Sequence, residues 1–234
     1  ELERVRYMIV PIFALFIPVV LVAAQPDLGT AMLIAIGGFG VIWLTGFRLK
    51  YFIYSFAMLI CLAPVSIAFL KPYQKSRILT FLDPERDPLG AGYQIIQSKI
   101  AVGSGGIFGK GFLKGSQSYL DYLPEKHTDF IFTLFSEEFG FVGCLLLLIV
   151  YAMIIYRILK IGENSRNNFA KLFCFGFGIA FFVYVIVNMS MVLGLLPIVG
   201  APLPIMSYGG SSMMAMMIGL GIVMSCKVSE EGTE

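Results

Sequence analysis

Residues 122–140 read Tyr-Leu-Pro-Glu-Lys-His-Thr-Asp-Phe-Ile-Phe-Thr-Leu-Phe-Ser-Glu-Glu-Phe-Gly and hold the chain's single histidine, His127. Glu125, Lys126, Asp129, Glu137 and Glu138 lie around it, and the chain then runs straight into an apolar segment. A carboxylate beside a membrane is costly to keep, so Asp129 calls for a partner or a task. It is either a functional carboxylate facing a protein cavity or a first-turn carboxylate favoured by the helix dipole. On a helix starting at Asp129, with 100° per residue, Thr133, Ser136 and Glu137 fall about 40°, 20° and 80° away, and Glu138 about opposite. Asp129, Thr133, Ser136 and Glu137 then form one polar stripe toward a protein cavity, and Glu138 needs a separate partner. His127, with no second histidine or cysteine beside it, makes a poor metal ligand, and a hydrogen-bonded structural role is expected for it.

Three further stretches carry polar chemistry. Gln25-Pro26-Asp27-Leu28-Gly29-Thr30 turns the chain at its proline. Asp27 there is either the cap of the helix that follows or a functional carboxylate at a membrane face. Gly103-Ser104-Gly105-Gly106-Ile107-Phe108-Gly109-Lys110-Gly111 resembles a nucleotide loop only superficially. Position 104 is serine where a phosphate loop needs glycine, and position 111 is glycine where it needs serine or threonine. A dinucleotide fingerprint fails at Phe108. What remains is a flexible turn, or a cradle of backbone amides that holds an anionic lipid headgroup with Lys110 and Lys114. Residues 194–212 hold Pro197, Pro202 and Pro204 among several glycines, which excludes a long helix. Broken backbone at membrane depth lines a cavity or is buried in protein, so this segment is a cavity wall or a tight packing turn.

The scaffold that positions these residues is a membrane. Of the 234 residues, 58% are hydrophobic and 14% charged, which excludes a disordered chain and an ordinary soluble domain. Apolar runs long enough to cross a bilayer (about 18 residues or more) place about six helical spans at 7–24, 28–44, 51–70, 139–159, 172–196 and 204–225. The expected fold is therefore an all-α polytopic transmembrane helix bundle, one membrane domain over 1–234, with a large structured extracytoplasmic loop at 71–126. That loop carries many aromatic residues, and within it residues 93–102 have the spacing of an amphipathic helix at the interface. Gly37, Gly38 and Gly40 let helices approach closely, Trp43 sits at a boundary, and Asn188 needs a partner inside the bundle. Pro64 predicts a kink in the third span. Cys61, Cys144, Cys174 and Cys226 lie in apolar runs and are expected as buried small hydrophobes. Arg4, Arg6, Arg48, Lys50, Arg157, Lys160, Arg166, Lys171 and Lys227 fall at one set of span ends, while the short connections at 25–27 and 194–203 carry no basic residue. By the positive-inside rule both termini are cytoplasmic and the long loop is outside. The chain begins at Glu1 without a signal-peptide pattern and is expected to be part of a longer protein.

Several of these stretches, in this order, resemble the SEDS family of bacterial cell-wall proteins, the group of RodA, FtsW and SpoVE. They are residues 25–30, the loop from Arg77 to Gly111, Leu123-Pro124-Glu125-Lys126-His127-Thr128-Asp129-Phe130-Ile131-Phe132, Glu137-Glu138-Phe139-Gly140, and Pro202-Leu203-Pro204 through Ser207-Tyr208-Gly209-Gly210-Ser211-Ser212. Residues 109–118 resemble the elongation branch more than the division branch. The resemblance implies about ten spans in the whole protein, so that this chain corresponds to the C-terminal part. It implies a peptidoglycan glycosyltransferase of the bacterial cytoplasmic (inner) membrane that polymerises lipid II for cell-wall elongation and rod shape. It further implies a class B penicillin-binding transpeptidase and other elongation-complex membrane proteins as partners, and no nucleic acid. The family's essential loop aspartate falls on Asp129, the expected catalytic base, and its Gln-Pro-Asp aspartate on Asp27. Asp27, Lys75, Arg77, Lys110, Lys114 and Glu137 are the expected substrate contacts, the cations toward a leaving pyrophosphate. A divalent cation would suit that chemistry, but no ligand cluster for a metal is visible. The alternatives are a transporter of the lipid-linked precursor, a scaffold that only recruits the transpeptidase, and the division or sporulation member of the family. The charged residues concentrate at one face rather than at mid-membrane, which favours the enzyme.

Overall fold

The computed structural model of the chain describes residues 9–25, 27–44, 54, 72–87, 90–115 and 127–231. Among these residues every regular element is a helix. α1 spans Ile9–Ala24 and α2 Leu28–Leu44. α3 is Pro72–Leu82, a 3-10 turn follows at Pro84–Arg86, and α4 is Ala91–Gly105. α5 is Ile131–Asn164, α6 Asn168–Val192 and α7 Gly210–Glu231. α5, α6 and residues 210–229 of α7 are long and apolar enough to cross a membrane, and α1 and α2 are shorter apolar helices. The expected third span, with Pro64 and Cys61, lies outside the described residues apart from Tyr54.

Three span limits differ from the sequence reading, each for a local reason. The fourth span, expected at 139–159, is a 34-residue helix interrupted at Gly140, where φ is 64° and ψ −164°. The fifth begins earlier, at Asn168, because the Asn167 side chain caps it through the Phe169 amide at 2.9 Å. The sixth starts at Gly210 rather than at 204, because residues 204–209 form the turn described below.

α6 is the central post. α2 packs on it where Gly37 meets Ala180 and Gly40 meets Ile179, and α1 packs on α2 where Leu15 fills the space beside Gly38. These small residues let apolar helices come together where lipid offers no hydrophobic drive. Phe130, Phe132, Tyr151, Phe181, Val185 and Met189 form the main buried cluster between α5 and α6. A second cluster of Ile158, Cys174 and Val223 ties α5, α6 and α7 near the Arg157 end. Cys144, Cys174 and Cys226 are free thiols. Trp43 is exposed at the end of α2. α4 contains the helix expected at 93–102. It packs on α5 and α6, burying Ile95 and Ala101, and the Ser98 hydroxyl donates to the Val192 carbonyl at 2.9 Å.

Candidate active site

Asp129 precedes its helix. Residues 127–130 form a turn and α5 starts at Ile131, so the polar stripe on the helix consists of Thr133, Ser136 and Glu137, all buried. The turn is fixed from three directions. Asn188 of α6 donates its Nδ2 to the Asp129 carbonyl at 2.8 Å and to the Ala201 carbonyl at 2.6 Å. The Ser207 hydroxyl donates to the Thr128 carbonyl at 2.7 Å and accepts the Leu203 amide at 2.6 Å. The Tyr208 amide donates to the His127 carbonyl at 2.9 Å. His127 thus contributes through its backbone, and its side chain is exposed. Asn188, the polar residue that needed a partner inside the bundle, has two carbonyls.

The partner of this turn is the broken segment between α6 and α7. It leaves α6 at Gly194 and bends again at Gly200, with φ of 68° and 77°. Its backbone is satisfied in part by side chains, since the Tyr151 hydroxyl donates to the Pro204 carbonyl at 2.7 Å. That is how irregular backbone persists inside a bundle. A Cβ added at Gly200 would lie 3.5 Å from the Asp129 Oδ2, so the carboxylate of Asp129 stands directly over this bend. One residue earlier, Val199 packs against Gly29 in the first turn of α2. Asp27 caps that turn, its Oδ1 accepting the Thr30 amide at 3.1 Å. Residues 199 and 200 therefore bring the Asp27 and Asp129 motifs, about a hundred residues apart in sequence, to one end of the bundle. Behind the bend is a cavity of about 110 Å³, lined by Tyr184, Pro202, Pro204, Ser207, Ser212 and Met216 among others. The segment is a cavity wall.

The glycine-rich loop has a different task from either expected one. The break at Gly140 frees donors and acceptors on α5, and this loop takes them up. The Phe141 and Val142 amides donate to the carbonyls of Gly106 and Ile107 at 2.9 and 3.1 Å. The Lys110 and Gly111 amides donate to the carbonyls of Glu137 and Glu138, both at 3.0 Å. The Lys110 and Gly111 amides are thus spent on the helix rather than turned toward an anion, and the loop is a clamp. The Lys110 ammonium reinforces it, 2.7 Å from Oε1 of the fully buried Glu137, with the Ser104 hydroxyl 3.4 Å from the same oxygen. Lys110 and Glu137, both expected at the substrate, thus form an ion pair inside the scaffold. Lys114 is exposed beside it.

Lys75 and Arg77 are both exposed on α3. Lys75 lines an open polar recess of about 440 Å³ together with Ser76, Thr80, Arg86 and Asp87. Arg77 does not line it, and neither does the 127–130 turn. Arg86, which the sequence reading passed over, enters through its 2.8 Å ion pair with Asp83 in the turn Asp83-Pro84-Glu85-Arg86. Among the described residues no three of His, Cys, Asp and Glu stand together as a metal site.

A bundle of long apolar helices with polar side chains gathered at one end defines a multi-pass membrane protein. The comparisons with known proteins agree. The chain belongs to the family described as cell cycle protein, FtsW/RodA/SpoVE, whose model matches residues 1–232. It is 50% identical over 212 residues to the peptidoglycan glycosyltransferase MrdB of Escherichia coli K12, covering 90% of this chain and 57% of that one. It is 38% identical over 225 residues to the probable peptidoglycan glycosyltransferase FtsW of Idiomarina loihiensis, covering 95% of this chain and 54% of that one. Among solved structures it resembles a chain of a peptidoglycan synthase complex that coordinates polymerization and crosslinking, with a TM-score of 0.78 and 36% identity, over 98% of this chain and 63% of that one. It also resembles the rod shape determining protein RodA of Thermus thermophilus, with a TM-score of 0.62 and 27% identity, over 95% of this chain and 56% of that one. The chain spans a little over half the length of the curated relatives cited.

Proposed function

We propose that the protein containing this chain is a peptidoglycan glycosyltransferase that joins lipid II into glycan strands, with Asp129 as its base. The observation that carries the reading is the placement of Asp129: its carbonyl is held by Asn188, its carboxylate stands over Gly200, and the Asp27 motif reaches the same bend. The names of relatives at 38–50% identity support it. In this reading the acceptor sugar hydroxyl approaches the bend, and Asp129 takes its proton as the oxygen bonds to the donor's anomeric carbon. The bond from that carbon to the lipid pyrophosphate breaks as the new one forms. Such a positioned base contributes about 10²–10⁴-fold in rate. Lys75, Arg77 and Lys114, exposed on the segment between α2 and α5, are offered to the pyrophosphate, with Arg86 beside Lys75. Lys110 and Glu137 hold the frame.

Orientation follows from charge. Arg157, Lys160, Arg166 and Lys171 flank the α5–α6 connection, at the opposite end from Asp129. Placing that end in the cytoplasm puts Asp129, Asp27 and the clamp on the outer face of the cytoplasmic membrane, where a lipid-linked precursor waits. Resemblance to a chain of a peptidoglycan synthase complex supports a class B transpeptidase as partner. Similarity to MrdB and RodA supports the elongation role. The deciding experiment is glycan polymerisation from lipid II by the intact protein with its partner, wild type against Asp129→Asn. The variant should lose about 10²–10⁴-fold in rate while folding and binding its partner. Unchanged polymerisation would remove Asp129 as the base.

A further inference from the structure

The clamp that closes the break in α5 has a second face. Residues 106–114 present Ile107, Phe108, Phe112 and Leu113, the last three with 81%, 69% and 72% of their surface exposed. Leu113 adopts a left-handed conformation, φ 59°, with its side chain outside the protein. Four large apolar groups thus stand exposed on one short, well hydrogen-bonded loop, which a surface facing water seldom carries. The patch also runs on into another surface. Phe112 faces Phe139 with ring centroids 6.4 Å apart, and Phe139, Phe141, Leu145 and Leu146 continue the exposed apolar face down α5.

The depth of that face in the membrane can be read from charge. Between Glu138 and Arg157 there is no Asp, Glu, Lys or Arg, a stretch of 18 residues. At 1.5 Å per residue it is about 27 Å long, close to the roughly 30 Å hydrocarbon core. Its end toward Asp129 is therefore the boundary of the apolar layer, and the clamp is bonded there. The Ile107 carbonyl accepts the Val142 amide just inside the stretch, and the Lys110 amide donates to Glu137 at its edge. The loop amides of Gly109, Lys110 and Gly111 are all bonded, which is the condition for backbone at this depth. Lys114, exposed and next to Leu113, can lay its stem along the boundary and keep its ammonium in the headgroups.

We infer that residues 106–114 are a membrane-seated wedge, with Ile107, Phe108, Phe112 and Leu113 in the bilayer at the Asp129 end of α5. The occupant of the patch is lipid, because the patch is continuous with the charge-free face of a spanning helix. The loop then fixes the break in α5 relative to the bilayer. This rests on the membrane-spanning fold and is independent of the reaction proposed above.

The test uses tryptophan fluorescence in the intact protein reconstituted in vesicles. With the single native tryptophan removed as Trp43→Phe, Phe108→Trp and Phe112→Trp are made separately, with Phe141→Trp as the reference on α5. Vesicles of phosphatidylcholine brominated on the acyl chain near the headgroup are compared with unbrominated ones. The wedge predicts blue-shifted emission at 108 and 112, a loss in brominated vesicles comparable with that at 141, and little quenching by aqueous iodide. Red-shifted emission quenched by iodide at both positions, with 141 quenched by bromolipid, places the loop in water and overturns the inference. Blue-shifted emission that neither bromolipid nor iodide quenches means that protein covers the patch, and overturns it equally. Two positions guard against one substitution disturbing the loop.

Discussion

Asn188 holds two carbonyls from opposite parts of the chain, that of Asp129 at 2.8 Å and that of Ala201 at 2.6 Å. It is fully buried, about one turn from the C-terminal end of the bundle's central helix. One amide group thus sets the distance between the proposed base and the bend where an acceptor would approach. Asn188→Leu keeps the branched outline and removes both bonds. Leaving buried carbonyls without their donor costs about 1–3 kcal/mol. If that cost falls on the placement of Asp129, polymerisation drops about 5- to 150-fold. Asn188→Asp, which keeps shape but offers no amide, should fall as far. Initial rates on lipid II decide it, with partner binding as the control for folding. Rates of the wild-type order in both variants would show that Asn188 only fills space.

The Lys110–Glu137 pair makes a separable prediction. Glu137 is buried and Lys110 keeps some contact with solvent. Removing the lysine leaves a buried carboxylate without its cation, a loss of about 3 kcal/mol at the low end of the range for buried pairs. Lys110→Met should therefore lower the melting temperature clearly. The double variant Lys110→Met with Glu137→Gln should recover most of that loss, because neither charge remains to be desolvated. If the two losses simply add in thermal unfolding in detergent, the pair is not coupled in the folded state.

Which features were legible in the sequence follows from what each signal measures. The apolar runs of α1, α2, α5, α6 and α7 announced helices, because burial in lipid needs uninterrupted apolar length. Asn188 announced a buried partner by being polar in such a run. The break at Gly140 was invisible, because one glycine in an apolar run looks like a packing position, of which Gly37 and Gly40 are real examples. The role of the loop at 106–111 was hidden for the same reason. Its amides bond to carbonyls that exist only once α5 is broken. The helix placed from Asp129 starts two residues later, since the 127–130 turn is held by Ser207 and Asn188, remote in sequence. The family motifs pointed to Asp129 and Asp27, and tertiary contacts alone show that both meet one bend.

Asp27 has two readings that a single substitution separates. Its Oδ1 caps α2 through Thr30, a role asparagine fills equally well. The segment at Val199 that packs on the same helix start also leads to Asp129, which brings the Asp27 motif to the same end of the bundle as the proposed site. Asp27→Asn should leave thermal stability unchanged and lower polymerisation, whereas Asp27→Ala should also lose about 1 kcal/mol of stability with the cap. Full activity in the asparagine variant would assign Asp27 to the cap alone.

Gly140 is the sharpest structural test, because a methyl group is enough. Its φ of 64° lies in the left-handed region, and a Cβ there would run into the Gly109 amide and the Ile107 carbonyl. With ψ at −164° this backbone is essentially reserved for glycine and costs an alanine about 1–3 kcal/mol, and the collision adds to it. The alternative open to Gly140→Ala is a continuous helix through 137–142, which takes back the amides of Phe141 and Val142 and the carbonyls of Glu137 and Glu138. The clamp would then lose its four bonds to α5, and Lys110 would move from Glu137. Amide hydrogen exchange at 106–111 should accelerate strongly in the alanine variant, while exchange in α6 stays slow. Polymerisation should fall with it, since Asp129 lies at the foot of the same helix. Unchanged exchange in the clamp would mean that the break is held by something other than this glycine.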